Sequence, residues 1–488
     1  MAPLHFFLNG KRVDIRDISP NETLLNYLRY EASLTGTKEG CAEGDCGACT
    51  VLMLDAEQGR AAQLRAVNSC LVLVPMLHGR EVFTVEALRD KELHPVQQAM
   101  VDTLGSQCGF CTPGVVMSMT EAAYRSDLDS AWKVDDQMCG NLCRCTGYRP
   151  IREAATRVAG TRPPGKLLNC LDNAKSCDRG LNYEALGESF IIPTSFTELF
   201  QALENQPDAR IVAGATDLSL EITKAHRELP HLVSVESIPE LHQLELREEG
   251  VYIGAAVPLT DVETALLERM PMVSRMLRYY GARQIKHRAT AGGNICNASP
   301  IGDLPPVLLA LDAKLHLRSK AGARTVSIDE FFLGYRQTAL KPGEVLEAIW
   351  IPNVLSASKS GAYKVSRRRE LDISAVAAGI VVQLGEGSVV TAARIGVGGV
   401  AATPIRAKQT EDFLVGKVWN EDTAEEAAQI IEQEFSPLSD HRSSEWYRRK
   451  VIGNLIRGFY QETLDADFVS LPDAPTATVV LEASHEQA

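Results

Sequence analysis

Short segments of alternating or continuous apolar residues characterise the first 85 positions of the chain. The stretch "LHFFLNGKRVDI" (4–15) predicts two strands joined by a hairpin turn at Asn9 and Gly10. A further strand, "CTVLML" (49–54), is predicted directly after a glycine-rich loop. We therefore expect a small β domain over residues 1–85.

The apolar spacing then becomes helical. In "HPVQQAMVDTLG" (94–105), apolar residues recur at three- and four-residue intervals and the pattern stops at a glycine. Thr112 is the predicted N-cap of a second helix that starts at Pro113, and Pro150 stands near the start of a third. Residues 86–165 are therefore predicted to form a helical domain.

Strands and helices alternate in the rest of the chain, after a polar stretch at 166–188 that we interpret as a linker. An amphipathic helix is predicted at 194–207, where Ser195 and Glu198 have the spacing of a capping box. A strand, "RIVAG" (210–214), follows it. The last third alternates strands such as "AARIGVGGV" with helices such as "DTAEEAAQIIEQEF".

Composition excludes several classes of protein. With 488 residues, 45% of them hydrophobic, the chain is long enough for about three domains. Its net charge of −13 argues against a broad surface for nucleic acid or anionic membranes. The first twenty residues hold no signal-like apolar core, and the longest apolar run (71–77) is too short to span a bilayer. We expect a soluble, cytoplasmic protein that binds neither nucleic acid nor membranes.

Nine of the twelve cysteines fall in the first 145 residues. In a reducing compartment, such clustering indicates metal binding or catalysis rather than disulfides. The first group reads C-x4-C-x2-C with one later cysteine, the plant-type [2Fe–2S] spacing, and consists of Cys41, Cys46, Cys49 and Cys70. Glycines at 40, 44 and 47 let this loop direct backbone N–H groups at sulfur. The alternatives are a zinc site or unrelated buried thiols.

A second group of cysteines lies in the predicted helical domain. "QCGFCTPG" and "GNLCRCTGYRP" supply Cys108, Cys111, Cys143 and Cys145, in turns at helix starts where the helix dipole stabilises thiolates. Taken alone, the spacing suits an iron–sulfur cluster or zinc. The neighbouring Cys139 competes as a ligand but is interpreted as a bystander. We assign no ligand role to Cys170 and Cys177 in the linker.

Two such quartets in tandem resemble the paired [2Fe–2S] domains of the molybdenum hydroxylases, over residues 1–165. "GCAEGDCGACTV", "QCGFCTPG" and "NLCRCTGYRPI" stand almost as that family has them. The resemblance implies that the ligands are Cys41, Cys46, Cys49 and Cys70 for one cluster, and Cys108, Cys111, Cys143 and Cys145 for the other. It also implies a β-grasp plant-type ferredoxin domain followed by a helical-bundle [2Fe–2S] domain.

The flavin is indicated by two further segments. The strand, glycine turn and helix at 210–222 alone suit an ordinary crossover. The stretch "RATAGGNICNASPIGDLPPVLLALDA" (288–313) adds a Gly292–Gly293 pair and short polar groups. Together they resemble the FAD domain of the same family, of the vanillyl-alcohol-oxidase type. The resemblance implies that the diphosphate is held by Ile211, Val212, Ala213, Gly214, Ala215, Thr216, Asp217, Gly293, Asn294, Asn297 and Ser299, and the ribose by Asp303.

The segment "YKVSRRRELDISAVAAG" (363–379) resembles the family's segment near the isoalloxazine ring. The resemblance implies that Lys364 faces the flavin and that Asp372 contacts the nicotinamide side; a solvated basic strand edge is the alternative. His287 is interpreted as a surface histidine because these relatives bind FAD noncovalently. The resemblance further implies an α/β C-terminal flavoprotein domain.

We thus expect an α+β multidomain chain. Its predicted parts are a ferredoxin domain (1–85), a helical [2Fe–2S] domain (86–165), a linker (166–188), an FAD-binding domain (189–362), a C-terminal flavoprotein domain (363–475) and a disordered tail (476–488).

The function follows from the resemblance. It implies a chain that carries electrons from hypoxanthine or xanthine, oxidised at molybdopterin on a partner subunit, through two [2Fe–2S] clusters and FAD to NAD⁺. No residue for purine hydroxylation is expected here, because nothing in the sequence resembles the molybdenum segments. The expected assembly is a heterotetramer of two small and two large chains. The alternatives are a family member acting on an aldehyde or N-heterocycle, and a non-catalytic, zinc-scaffolded binding protein.

Overall fold

The N-terminal sheet has five strands in the order β2-β1-β5-β3-β4. The fold is known from a computed structural model that describes residues 3–56, 61–89, 91–174, 179–353, 358–368 and 371–464. Asn9 and Gly10 both have positive φ, so the predicted hairpin between the first two strands is confirmed. The elements are β1 (Leu4–Leu8), β2 (Lys11–Ile15), α1 (Leu24–Asn26), β3 (Thr50–Asp55), β4 (Gln63–Asn68) and β5 (Glu81–Phe83).

The second domain contains the three predicted helices, α2 (Pro95–Asp102), α3 (Thr112–Tyr124) and one over Arg149–Val158, and a fourth that was not predicted. The fourth is α4 (Ala131–Met138), so the helix over Arg149–Val158 is α5. The prediction that Thr112 caps α3 is wrong. The carbonyl oxygen of Cys111 accepts the bond from Val115 N that closes the first turn, so the N-cap is Cys111. The Thr112 hydroxyl instead pairs with Ser106 Oγ at 2.7 Å.

The polar stretch interpreted as a linker contains regular structure: α6 (Lys166–Asp172) and β6 (Leu181–Ala185). Leu167 and Leu171 are one helical turn apart, and both are buried in the core of the helical domain. With Leu168 and Cys170 partly buried against the same core, these residues dock the helix, although the segment as a whole reads as polar. Cys170 is half-buried on α6, whereas Cys177 and the tail at 476–488 lie outside the described residues.

The third domain is built on two sheets. The first has the order β6-β7-β9-β8, and the second has the order β10-β11-β16-β12-β13. Its further strands are β7 (Glu188–Ile192), β8 (Arg210–Val212), β9 (His231–Ser234), β10 (Leu244–Leu246), β11 (Gly250–Gly254), β12 (Lys314–Ser319), β13 (Gly322–Ser327), β14 (Phe332–Gly334), β15 (Gln337–Thr338) and β16 (Val345–Pro352).

Seven helices accompany these sheets: α7 (Phe196–Asn205), α8 (Leu218–Thr223), α9 (Leu259–Ala265), α10 (Pro271–Arg278), α11 (Arg283–Lys286), α12 (Ala291–Cys296) and α13 (Leu304–Ala310). Ser195 Oγ accepts from Glu198 N at the start of α7, as the predicted capping box requires. The Glu198 carboxylate, however, accepts from Thr194 N at 2.7 Å instead of from the capping serine.

The C-terminal domain is a four-stranded antiparallel sheet covered by three helices. Its elements are β17 (Ser358–Val365), β18 (Val376–Leu384), β19 (Val390–Gly398), β20 (Ile405–Arg406), α14 (Lys408–Leu414), α15 (Glu421–Glu434) and α16 (Glu445–Leu464). A separate apolar core lies between this sheet and its helices. Nowhere in the described ranges is there a helix both long enough and apolar enough to cross a membrane.

Candidate functional site

The first four cysteines converge at the end of the N-terminal sheet. Three backbone N–H groups, those of Glu43, Asp45 and Cys46, point at the sulfur of Cys41 over 3.3–3.4 Å. Such donors stabilise a thiolate. A hydrogen bond from the Cys46 thiol, together with these backbone donors, lowers the pKa of Cys41 to about 5. The loop is therefore prepared to bind an electrophilic metal centre.

Glycine is required where this loop turns. Gly44 and Gly47 have φ of +79° and +69°, which L side chains rarely adopt. A Cβ on Gly40 would lie 2.7 Å from the Cys46 sulfur and would fill the space beside it. The three glycines thus keep the sulfurs accessible from inside the loop.

The second four cysteines lie at the N-terminal ends of α3 and α5. Cys108 and Cys145 are exposed, and Cys143 is buried. Although burial acts to raise it, hydrogen bonds from Thr146 and from backbone N–H groups lower the pKa of Cys143. Cys139 ends α4 and lines a separate cleft, of about 430 Å³, with residues that include Arg368.

Each quartet divides into two close pairs. Cys49 and Cys70 approach to 3.3 Å between sulfurs, and side-chain hydrogen bonds link Cys41 to Cys46. In the other quartet, the same kind of bond links Cys108 to Cys145 and Cys111 to Cys143. A [2Fe–2S] cluster is held by four thiolates, two on each iron, so both donor sets fit it. Within the described residues, no group of three or more His, Cys, Asp and Glu side chains is placed to hold a single metal ion.

The two cysteine loops touch. The carbonyl oxygen of Cys46 accepts a hydrogen bond of 3.0 Å from Leu142 N, the residue before Cys143. A Cβ on Gly114, in the first turn of α3, would lie 2.1 Å from the carbonyl oxygen of Gly47. The backbones of the two domains therefore approach as closely as two glycines permit.

On its other side, the first cysteine loop forms a wall of an open cleft of about 420 Å³. Residues 211–217 line the cleft, as do Gly293, Asn294, Asn297, Ser299, Asp303 and Asp372. The structure therefore brings all of the predicted FAD residues to one place except Lys364, which contacts the cleft residue Asp303. The loop residues Glu43, Gly44 and Asp45 complete the wall.

The two turns predicted to hold the diphosphate pack back to back. A Cβ on Gly214 would lie 1.5 Å from the carbonyl oxygen of Arg288, so only glycine fits there. Thr290 caps α12 through Gly293 N at 3.0 Å. The Asn294 amide donates to Tyr280 Oη, while its buried side-chain oxygen has no hydrogen-bond partner in the described structure. This cradle and its unpaired acceptor fit a ligand with polar groups, such as FAD.

Asp303, predicted to hold the ribose, already has partners for both carboxylate oxygens. One accepts from Lys364 Nζ at 2.8 Å, and the other accepts from Ser374 Oγ. Both ends of the ion pair are nearly inaccessible to solvent, with side chains 6% and 3% exposed. Asp303 therefore joins α13 to the C-terminal domain. The ribose role stays a prediction.

Asp372 lies at the rim of the cleft. Its carboxylate accepts from the backbone N–H groups of Arg368 and Ile373, and although burial acts to raise its pKa, these bonds keep the pKa low. The side chain is thus held as a carboxylate beside the cleft, and its nicotinamide role stays a prediction.

The interpretation of His287 as a surface histidine is wrong. Its side chain is 3% exposed and its Nε2 lies 2.8 Å from Glu121 Oε1. The Thr260 hydroxyl, 3.1 Å from Nδ1, is the donor to the unprotonated nitrogen. Burial lowers the pKa of His287 to about 4, so that the ring is neutral at neutral pH.

Sequence reasoning missed the junction where three domains meet at Glu121. This buried carboxylate accepts from Ala66 N in the ferredoxin domain, from Gln137 within its own domain and from His287 in the FAD-binding domain. The neighbouring Gln284 donates to Ser118 Oγ and to Asn141 Oδ1 at 3.0 and 2.9 Å. The sequence does hold one indication of this junction. Glu121 directly follows the largely apolar run "GVVMSMT" within a predicted helix, and a carboxylate in such surroundings indicates a buried charge with partners.

Comparisons with known proteins agree with this arrangement. In chain order, the protein matches family models described as 2Fe-2S iron-sulfur cluster binding domain (6–75), [2Fe-2S] binding domain (84–156), FAD binding domain in molybdopterin dehydrogenase (183–354) and CO dehydrogenase flavoprotein C-terminal domain (361–463).

Similar curated proteins are xanthine dehydrogenases. The chain is 34% identical to that of Drosophila pseudoobscura pseudoobscura over 93% of its own length and 39% of the relative. It is 34% identical to the xanthine dehydrogenase/oxidase of Rattus norvegicus over 90% of its length and 37% of the relative. The chain thus spans about two fifths of the length of these relatives.

Solved structures are similar over somewhat more than half of the chain. A carbon monoxide dehydrogenase chain from Oligotropha carboxidovorans matches with a TM-score of 0.52 and 29% identity, over 55% of this chain and 94% of that one. A quinoline 2-oxidoreductase chain from Pseudomonas putida 86 has the same TM-score and identity, over 56% and 96%. Four matched domains in this order, with these relatives, show that the chain belongs to the molybdenum hydroxylase family and carries its iron–sulfur and flavin domains.

Proposed function

We propose that the chain is the iron–sulfur and FAD subunit of a cytoplasmic xanthine dehydrogenase. It takes electrons from hypoxanthine or xanthine, oxidised at molybdopterin on a separate large subunit, and delivers them to NAD⁺. The assembly is a heterotetramer of two small and two large chains. The identity to xanthine dehydrogenases over 90% or more of the chain supports this choice within the family.

One observation carries the electron-transfer role. The first cysteine loop contacts the loop of the second quartet through Cys46 and Leu142, and it forms a wall of the flavin cleft through residues 43–45. The two predicted cluster sites and the flavin site therefore form a continuous series. In the helical domain, Cys108 and Cys145 of the second quartet are exposed, so they can face the molybdenum subunit.

In this proposal, the residues of the chain bind the two clusters and FAD and hold them in position. When bound, the clusters supply one-electron transfer and FAD supplies hydride exchange with NAD⁺. Backbone N–H groups around Cys41 hold negative sulfur, and Gly214 lets two backbone segments close around the diphosphate. Asp303 pairs with Lys364 and holds it in place next to the cleft.

The test uses the complex with the molybdenum subunit. We expect about four irons and four acid-labile sulfides per chain of this protein, from two clusters, and NAD⁺ reduction that depends on xanthine. Replacing Cys143 with serine is expected to abolish xanthine-dependent NAD⁺ reduction, while NADH oxidation with an artificial dye remains because the flavin is untouched. Stoichiometric zinc without sulfide, or FAD found only in the partner, would contradict the proposal.

A second candidate is a family member acting on an N-heterocycle or an aldehyde. The similarity to quinoline 2-oxidoreductase over 56% of the chain favours an N-heterocycle. The same complex distinguishes the two candidates: oxidation of quinoline or an aldehyde but not of xanthine or hypoxanthine selects the second.

A further inference from the structure

We infer that Ile285, a residue of the FAD-binding domain, seals the Cys49 and Cys70 side of the first quartet against the flavin cleft and so sets the reduction potential of the cluster there. This rests on the proposed function only in that a [2Fe–2S] cluster occupies the first quartet. It concerns a side chain that contributes no atom to the ligand set.

Ile285 stands between the two sites. It lines the flavin cleft, and it also packs against a small apolar cluster formed by Leu25, Cys49, Cys70 and Leu71. Its Cδ1 would lie 2.7 Å from a Cβ on Gly44, so it presses on the cysteine loop at a position where φ is +79°. One face of the side chain therefore packs against the apolar cluster that contains Cys49 and Cys70, and the other meets the cleft.

The residues on either side of Ile285 hold it in place. Gln284 is bound to the helical domain by two hydrogen bonds, to Ser118 and Asn141. Lys286 is fully buried, with its Nζ 2.7 Å from Glu263. Because both neighbours are anchored in different directions, the isoleucine between them cannot move away from the cysteines to open a path.

An apolar cover matters because reduction makes a cluster more negative. Low polarity around the sulfurs disfavours the added charge, whereas water close to them favours it. Shortening Ile285 to alanine removes the side-chain atoms beyond Cβ between cleft and cysteines. Water that enters the space left by the side chain then approaches Cys49 and Cys70, and the reduced cluster becomes easier to form.

The test is an EPR-monitored potentiometric titration of the purified complex. We expect Ile285→Ala to move the midpoint potential of one [2Fe–2S] signal to a more positive value and to leave the other unchanged. Cys143→Ser, which removes the helical cluster, identifies which signal is which. Ile285→Leu, with the same number of carbons, is expected to keep the wild-type potential.

Leu220→Ala is the matched control. Leu220 also packs against the Leu25, Cys49, Cys70 and Leu71 cluster from the FAD-binding domain, but it is not among the residues that line the cleft. We expect no change of potential from it. An equal shift in Leu220→Ala, or no shift in fully loaded Ile285→Ala, overturns the inference.

If the Ile285→Ala protein does not retain its cluster, the same titration is made on Ile285→Val, which removes only one methyl group. A smaller positive shift of the midpoint potential in this variant supports the inference, and no shift overturns it. The titration needs no purine and no NAD⁺. A complex that shows no iron–sulfur signals before any substitution contradicts the proposed function, which is a different result.

Discussion

At the scale of single residues, Asp303 shows how one carboxylate can serve a binding site indirectly. It lines the flavin cleft, yet its two oxygens are engaged by Lys364 and Ser374. A buried ammonium group is strongly destabilised when the carboxylate paired with it is removed. We therefore expect Asp303 to act on flavin binding largely through the position of Lys364.

Replacing Asp303 with alanine is expected to weaken FAD binding by about 10–100-fold, as the loss of one charge-assisted contact does, while both clusters stay loaded. The measurement is FAD occupancy of the complex at limiting flavin. If Asp303 acts through the lysine, the double variant Asp303→Ala, Lys364→Met recovers part of the loss. Unchanged occupancy in Asp303→Ala removes the residue from the site.

The residues that could be predicted are those whose chemistry dictates spacing. Four thiolates must surround two irons, and this requirement fixes how the predicted ligands are spaced. Three of them lie in one short loop and the fourth follows later in the chain, so the spacing alone is enough to predict them. His287 could not be predicted in this way. Its burial depends on Glu121, which lies 166 positions away in the sequence, and no local pattern records that contact.

At the scale of elements, α3 approaches the first cysteine loop backbone to backbone. Gly114 lies in the first turn of α3, and its Cα faces the carbonyl oxygen of Gly47. This is a contact between backbones, so no side chain can adjust to relieve a clash. The helix and the loop must separate if Gly114 gains a Cβ.

We expect Gly114→Ala to lower the stability of the iron–sulfur half by about 1–3 kcal/mol, the usual cost of overpacking. Thermal unfolding followed by the visible absorbance of the clusters measures it. Gly458→Ala is the control: this glycine also lies within a helix, α16, but a Cβ there meets no atom within 4 Å. It is expected to stabilise the chain by about 0.5–1 kcal/mol. Equal behaviour of the two variants would rule out the close approach.

Elements with strong periodicity are predictable, and those fixed by few contacts are not. The helices α2 and α7 follow from apolar residues at helical spacing. The helix α6 lies in a polar stretch, and its buried anchors are Leu167 and Leu171, with Leu168 and Cys170 partly buried against the same core. These residues become apolar anchors only because the helical domain offers them a surface. A tertiary contact therefore decides what the local sequence leaves open.

At the scale of the whole molecule, the three N-terminal domains are held by a buried polar junction rather than by apolar packing alone. Glu121 accepts hydrogen bonds from three elements and lies 3.5 Å from Arg283. Although burial acts to raise it, His287 and Arg283 hold the pKa of Glu121 well below its usual range. A junction of this kind fixes the order of the domains, because every partner must be present to satisfy the buried carboxylate.

The junction makes stability depend on pH through His287. Its pKa in the folded chain is about 4, below the ordinary value of 6.5, because it is buried. Well above pH 6.5, the ring is neutral in both the folded and the unfolded chain, so its titration does not change the free energy of unfolding. As the pH falls from 6.5 towards 4, the unfolded chain gains a proton that the folded chain does not bind, so the folded state loses up to about 3 kcal/mol.

We therefore expect the melting temperature of the cluster-loaded chain to fall between pH 7 and pH 5, and to fall less in His287→Gln. The glutamine amide can still donate to Glu121, but it does not titrate, so the variant loses the proton linkage and keeps the hydrogen bond. The exposed His226 provides the control, since His226→Gln removes an imidazole that is not part of the junction. The same pH dependence in His287→Gln as in the unmodified chain would show that the buried histidine does not set the acid limit of stability.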